Sequence, residues 1–366
     1  MKSTRYHPEH KRWPGWSKQR NLAKSSSGPE IMLQLKVEAI KWEMPDTVTF
    51  FLKEVFGEKI AYKAGQFITL VFNHHAEEIR RSYSLSSSPD EPLLSITIKR
   101  ITNGEISRFM LTRVAVGDIL TAVEPAGRFT LTDTPGEKDV LLFAAGSGIA
   151  PIYSQLKYTL NRPGCSRLVL IYSNINEPSI LFKKELEYLA RQHPDRFKII
   201  HQLSSEANRL NNLGVEKLVK EEIIYNPNDT EFYICGPFAY MRMIRLTLLY
   251  MGFEANQVRK ENFVLDTIPV SESLVNYPPR NVTIHYKKET YNLTVGENQS
   301  ILQAAIQNNI PLPYSCRVGS CSTCVAMCKT GRVQMAYNEV LTDADLAAGW
   351  ILTCTGHPVS DAEITF

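Results

Sequence analysis

The spacing of its cysteines constrains this chain more than any other feature. Four of the seven fall between Cys316 and Cys328, and Cys354 stands near the end. A secreted disulfide scaffold is shorter and spreads its cysteines more evenly, whereas a local cluster in a long chain is the pattern of a metal site. A segment that brings several sulfurs onto one small volume folds as a tight loop, with small residues where the backbone comes close. Gly319, Ser320, Ser322 and Thr323 meet that need.

The pattern Cys316-x4-Cys321-x2-Cys324, completed by Cys354, is plant-type [2Fe–2S] spacing. Two irons bridged by sulfides need four soft thiolate donors. A four-cysteine zinc site usually presents two C-x2–4-C pairs, and only one clean pair exists here. Cys328 is the rival fourth ligand, because Cys324-x3-Cys328 is similar to the end of the bacterial ferredoxin run. That run opens with two x2 gaps and closes on proline, whereas here the first gap is x4 and Lys329 follows Cys328. The expected ligands are Cys316, Cys321, Cys324 and Cys354. Cys328 is expected to be a small buried residue nearby, and Cys165 an ordinary structural cysteine. Residues 314–324 resemble a ferredoxin cluster loop, and Leu352-Thr353-Cys354 resembles the strand that carries that family's fourth ligand.

Upstream, the hydrophobic rhythm changes twice. Residues 31–134 hold short β-rich runs separated by turn signals (33–40, 48–52, 66–72, 81–86, 93–100 and 119–125), which predict an antiparallel barrel or sandwich. Over 135–265 strands alternate with amphipathic helices, the pattern of a parallel sheet covered on both faces. A helix is expected over 179–192. Residues 266–280, with three prolines and no period, are expected to be a linker. A hairpin, a helix, the cysteine loop and two short strands are expected in 281–366. Residues 1–24 hold seven Lys or Arg against Glu9 alone, with Trp13, Pro14 and Trp16 among them, and residues 1–30 are read as a basic, disordered tail.

Arg81-Ser82-Tyr83-Ser84 resembles the Arg-x-Tyr-Ser motif of the ferredoxin-reductase family. That resemblance implies a Greek-key barrel holding FAD: Arg81 on the pyrophosphate, Tyr83 stacked on the flavin and Ser84 at its N5 edge. Ile98 and Lys99, then Gly104, Ile106 and Ser107, match the family's next two flavin segments. The turn Gly146-Ser147-Gly148, followed by Pro151, lies between a strand and a helix, where backbone amides and the helix dipole favour phosphate. It is not a G-x-G-x-x-G fingerprint, because Pro151 replaces the third glycine. It is similar to the family's nicotinamide turn, and Cys235-Gly236-Pro237 is similar to its Cys-Gly-Pro. The resemblance further implies that Cys235 and Glu261 join Ser84 at the reacting edge, with Phe263 covering the flavin. Ile175 stands where many relatives have arginine, which weakens the usual 2′-phosphate contact; Ser204 and Arg209 are candidates to replace it, which favours NADPH over NADH.

The order of barrel, nicotinamide domain and C-terminal β-grasp ferredoxin domain resembles that of the phenylacetyl-CoA epoxidase reductase-like group and other oxygenase and desaturase reductases. The resemblance implies hydride transfer from NAD(P)H to FAD, then single electrons through the [2Fe–2S] cluster to an acceptor protein such as an oxygenase or desaturase. A general ferredoxin or flavodoxin reductase, and a flavin-binding redox sensor with incidental turnover, are the alternatives. A formal charge of +3 gives no reason to expect nucleic acid, and no apolar run approaches the roughly 20 residues of a membrane span. With no secretory leader pattern at residue 1, a cytoplasmic protein is expected.

Overall fold

The computed structural model describes residues 32–74, 77–132, 136–164, 166–206, 209–261 and 277–366. The basic tail, Cys165, Phe263 and most of the expected linker (266–276) lie outside these residues.

The first unit is a six-stranded antiparallel sheet of β1 (Met32–Met44), β2 (Thr47–Glu54), β3 (Phe67–His74), β4 (Glu77–Ser84), β5 (Leu94–Lys99) and β6 (Ile119–Ala126). The strand order is β4-β3-β6-β1-β2-β5. A bridge from Leu85 to Ile96 joins the two edges, so the sheet closes into a Greek-key barrel rather than a sandwich. Register shifts in β1 after Val37 and Trp42 bend that strand around the curve. Leu35, Val37, Phe50, Ile68, Leu70 and Ile96 fill the interior, which α1 (Glu105–Arg113) covers with Ile106 and Met110.

The second unit is a five-stranded parallel sheet of β7 (Asp139–Ala145), β8 (Arg167–Asn174), β9 (Phe197–Leu203), β10 (Glu231–Cys235) and β11 (Val258–Glu261), in the order β11-β10-β7-β8-β9. The helices between them are α2 (Ile149–Leu160), α3 (Lys183–Gln192), α4 (Asn212–Glu222) and α5 (Phe238–Tyr250). Alternate residues of β7 feed two separate cores, Leu142 and Ala144 on one face and Leu141 and Phe143 on the other. That explains its unbroken apolar run. The expected 179–192 helix is shorter than its period: Phe182 sits at φ 59° and restricts α3 to residues beyond it. Its ring stacks on Tyr153 with centroids 4.4 Å apart, so core packing holds the left-handed residue in place. Polar side chains of α2 dock the two units. Ser154 Oγ donates to Ser87 O, and Gln155 Nε2 to Phe129 O, each at 2.5 Å.

The third unit comprises β12 (Arg280–Tyr286), β13 (Glu289–Val295), α6 (Ile301–Gln307), β14 (Val325–Thr330), β15 (Val333–Met335), α7 (Asp343–Ala347), β16 (Trp350–Leu352), β17 (Gly356–Pro358) and β18 (Ala362–Thr365). Its main sheet, β13-β12-β18-β14-β16, places the last strand parallel to the first, with α6 packed across it through Ile301, Leu302, Ala304 and Ala305. This is the β-grasp arrangement. Ser300 starts α6 with a reciprocal capping box to Gln303. Cys328 departs from expectation. It lies in the second half of β14, paired with Ile364 of β18, and is half-buried, with its thiol donating to Thr330 O at 3.3 Å.

Among the described residues no helix is long and apolar enough to cross a membrane.

Candidate functional site

The cysteine loop follows α6 and runs into β14. Left-handed residues at Arg317 (φ 60°), Gly319 (φ 77°) and Ser322 (φ 57°) wind it so that backbone N–H groups turn towards sulfur. The amides of Val318 and Ser320 point at Cys316 Sγ from 3.5 and 3.4 Å, and the Cys316 amide at Cys321 Sγ from 3.4 Å. Thr323 Oγ1 lies 3.3 Å from Cys321 Sγ. A side chain at position 319 would meet Tyr337 O at 2.8 Å, so glycine is required there. Cys316 is within hydrogen-bonding range of Cys321 and Cys354, and Cys354 also of Cys324, while Cys328 stands apart from that network. Hydrogen bonds from Cys321 and Cys354 hold Cys316 far below the ordinary thiol range. A hydrogen bond from Cys354 lowers Cys324 as well. The same hydrogen bonds raise Cys321 and Cys354, so the protons rest on those two and the charge on Cys316 and Cys324. Four soft sulfurs on one small volume, facing a cradle of amides, fit an iron–sulfur cluster.

In the second unit, β8 and β9 lie to one side of β7, and β10 and β11 to the other. The strand order therefore reverses between β7 and β10, and such a switch point opens a ligand crevice at the carboxyl ends. Both expected nicotinamide segments meet there. A Cβ on Gly148 would lie 2.3 Å from Cys235 O, and one on Gly236 would lie 2.9 Å from Ala145 Cβ. Gly146 has φ 55° with open space around it, and its carbonyl accepts Tyr172 OH at 3.0 Å. Ser147 is exposed and Pro151 lies in the buried first turn of α2. The exposed turn leaves its backbone free to receive phosphate at the start of α2. Ser204 and Arg209 are exposed beyond β9; Ser204 Oγ reaches Asn174 O only at 3.5 Å.

Parallel pairing puts Cys235 opposite Glu261, at the ends of β10 and β11. Both are buried. Burial pushes the Glu261 carboxyl well above the usual range, against the opposing effect of a hydrogen bond donated by Ser84 Oγ at 3.3 Å. Burial likewise raises the Cys235 thiol, and the carboxylate form of Glu261 would raise it further. Ser84, Cys235 and Glu261 thus come together although they belong to two units.

Strand β4 organises the rest. Ile79 and Tyr83 pack towards the barrel core. Arg80, Ser82 and Ser84 occupy the opposite face, since strand residues alternate. Ser84 addresses Glu261, and Ser82 Oγ lies 2.7 Å from Ser315 Oγ, next to Cys316. Arg81 is exposed, with Nη1 on Arg80 O at 2.8 Å. The side chains of Ile98 and Ile106 lie in the barrel core, which leaves their backbone for any ligand, while Lys99 projects outward beside Asp46. Gly104 and Ser107 close the turn before α1: Ser107 Oγ accepts the Ile101 amide at 3.1 Å and donates to Gly104 O at 3.2 Å. Sequence reasoning missed Arg80, Ser82, Lys260 and Glu339, which join the units. The available signal was the Arg80-Arg81 pair, whose two members must face opposite sides of a strand.

The family model of the oxidoreductase FAD-binding domain matches residues 34–131, that of the oxidoreductase NAD-binding domain 142–246, and that of the 2Fe-2S iron-sulfur cluster binding domain 284–359. The ferredoxin reductase component of 3-ketosteroid-9-alpha-monooxygenase from Rhodococcus rhodochrous is 32% identical over 89% of this chain and 94% of its own length. A component of 1,2-phenylacetyl-CoA epoxidase from Escherichia coli (strain K12) is 29% identical over 91% of this chain and 97% of its own length. Among solved structures, phthalate dioxygenase reductase shares the fold with a TM-score of 0.58 and 23% identity, covering 92% of this chain and 98% of that one. By sequence and architecture, the chain belongs to the family of ferredoxin-reductase components in which FAD-binding, NAD-binding and 2Fe-2S domains follow one another along one polypeptide.

Proposed function

We propose that the chain is the reductase of an oxygenase system, taking electrons in pairs from NAD(P)H and passing them singly to its oxygenase. The observation that carries this reading is the outer face of β4, where the nicotinamide crevice, the flavin motif and the cysteine loop meet within a few residues. When bound, FAD accepts both electrons of a hydride and releases them one at a time, and a plant-type cluster holds one at about −400 mV. The chain's own residues set the stage. Arg81 offers a guanidinium to the FAD pyrophosphate, and Tyr83 and Ser84 approach the ring. Glu261, kept protonated by burial, holds negative charge away from the crevice that the nicotinamide enters. Small residues at 146, 148 and 236 let the nucleotide lie close to the backbone. Cys316, Cys321, Cys324 and Cys354 are the cluster ligands.

We place the domains at 31–134, 135–265 and 281–366, and the protein in the cytoplasm, where convergent thiols stay reduced. The nucleotide is NADPH, held by Ser204 and Arg209 at its 2′-phosphate. NAD(P)H-dependent reduction of ferricyanide and cytochrome c by the yellow-brown holoprotein tests the function. Failure with both nucleotides overturns it. Arg209→Ala should lower kcat/KM for NADPH about tenfold and leave NADH untouched, as loss of one charge-assisted hydrogen bond predicts.

A further inference from the structure

Among the described residues, three sets of contacts involving charged side chains join the Ser82–Ser315 hydrogen bond in seating the cluster domain on the other two. In the first, Arg80 is 9% exposed and its guanidinium lies 3.9 Å from the Tyr314 ring centroid. Its Nη1 donates to Tyr314 O at 3.0 Å and its Nε to Glu78 Oε1 at 2.7 Å, while Tyr314 OH donates to the same carboxylate oxygen at 3.1 Å. In the second, Lys260 Nζ donates to Glu339 Oε2 at 2.6 Å, and Tyr337 OH holds the other oxygen at 2.7 Å. In the third, Arg128 pairs with Asp345 and lies over the Trp350 ring.

Two of these contacts reach the cysteine loop itself. Tyr314 stands two residues before Cys316, and the Glu339 amide donates to Gly319 O at 3.1 Å. Lys260 directly precedes Glu261 on β11, and alternation sends the two side chains to opposite faces, one to the cluster domain and one to the flavin crevice. The interface is complementary in charge, since Lys260 and Arg128 come from the first two units and Glu339 and Asp345 from the third.

We propose that the Arg80–Tyr314 stack and the Lys260–Glu339 pair are positioning contacts that seat the cysteine loop on β4, so that electrons leave the flavin for the cluster only while the third domain is docked. Arg80 supplies the packed, water-excluded part of the seat, in which a planar guanidinium stacks on a ring and forks to two acceptors, a geometry lysine does not reproduce. Lys260 and Glu339, 26% and 17% exposed, supply the charged part, which salt screens only weakly. The consequence for electron flow rests on the function proposed above; the seat itself does not.

Charge reversal in the oxidised holoprotein separates the two. Lys260→Glu and Glu339→Lys, each alone, should increase the radius of gyration in small-angle X-ray scattering and slow flavin-to-cluster transfer about tenfold in stopped-flow absorbance, in line with couplings measured for close charge pairs. NAD(P)H-dependent ferricyanide reduction at the flavin should stay unchanged. The combined Lys260→Glu/Glu339→Lys variant should restore both the radius and the transfer rate. Arg80→Ala should open the molecule at every ionic strength, whereas the wild type should stay closed across the same range. Single variants with wild-type radius and transfer rate, or a double variant no better than its parents, would overturn the seat. A protein that reduces ferricyanide with neither nucleotide refutes the proposed function instead, while its scattering still reports on docking.

Discussion

Glu261 is a carboxyl group buried at the end of β11 with a hydroxyl donor at 3.3 Å, and that combination has a pH signature. Below the ordinary glutamate pKa of about 4.3 both folded and unfolded chains carry the proton. Above it the unfolded chain ionises while the folded one keeps its proton, so this group's contribution to stability falls as pH rises, and is lost through the raised folded pKa. Glu261→Gln removes that slope. Thermal unfolding should therefore show the variant gaining on the wild type between pH 5 and pH 8, and a gap that does not change over that range would mean the folded carboxyl already ionises below it. Two further substitutions separate the cofactors. Cys354→Ser should abolish the visible absorption of the cluster and Cys328→Ser should preserve it; the opposite pattern would reassign the fourth ligand. Arg81→Ala should weaken FAD retention on gel filtration and leave the cluster spectrum intact. At this scale the sequence was most legible where chemistry is local. The cysteines are fixed by what iron requires and by loop length, and both can be read from the chain. Arg80 was illegible because it and Arg81 are chemically identical, and only the direction of a strand distinguishes the guanidinium that faces the cluster domain from the exposed one.

Elements were legible in proportion to the apolar area they bury. The five-residue core run of β7 and the amphipathic period of α3 declare themselves, because each faces a packed layer. Strand β11, Val258–Glu261, has a short polar sequence and is held by pairing with β10, so nothing in its periodicity announces it, yet it carries both Lys260 and Glu261. Strand β14 was missed because the cysteine loop runs straight into it, with no turn signal between Cys324 and Val325. The two glycines of the nicotinamide turn serve different ends, and this predicts different consequences. Gly148→Ala drives a methyl into the Cys235 carbonyl at 2.3 Å and should separate β7 from β10, costing about 1–3 kcal/mol in chemical denaturation and raising KM for the nucleotide. Gly146→Ala meets open space and bears only its left-handed φ, about 1–2 kcal/mol, with smaller loss of nucleotide affinity.

Across the whole molecule the units are joined by polar contacts rather than one shared apolar core. Phe129 is an exception, a barrel-side residue that packs in the core of the second unit while its carbonyl accepts Gln155. Gln155→Leu strands that carbonyl without a donor and should cost about 1–3 kcal/mol, visible as separation of the flavin-release and global unfolding transitions in calorimetry. Three successive units were legible from changes of rhythm, but their docking was not, because contacts across hundreds of positions leave no period. The alternation along β4 has a practical corollary for anyone splicing reductases together. Ser84 engages the nicotinamide unit, while Arg80 and Ser82 engage the cluster unit, all from one face of one strand. A foreign cluster domain grafted after the nicotinamide unit keeps its grip only if a Tyr-Ser pair precedes its first cysteine. A single residue inserted in β4 just ahead of Arg80 would turn all three side chains into the barrel at once, so a seemingly neutral barrel edit can disconnect both ends of a chimera.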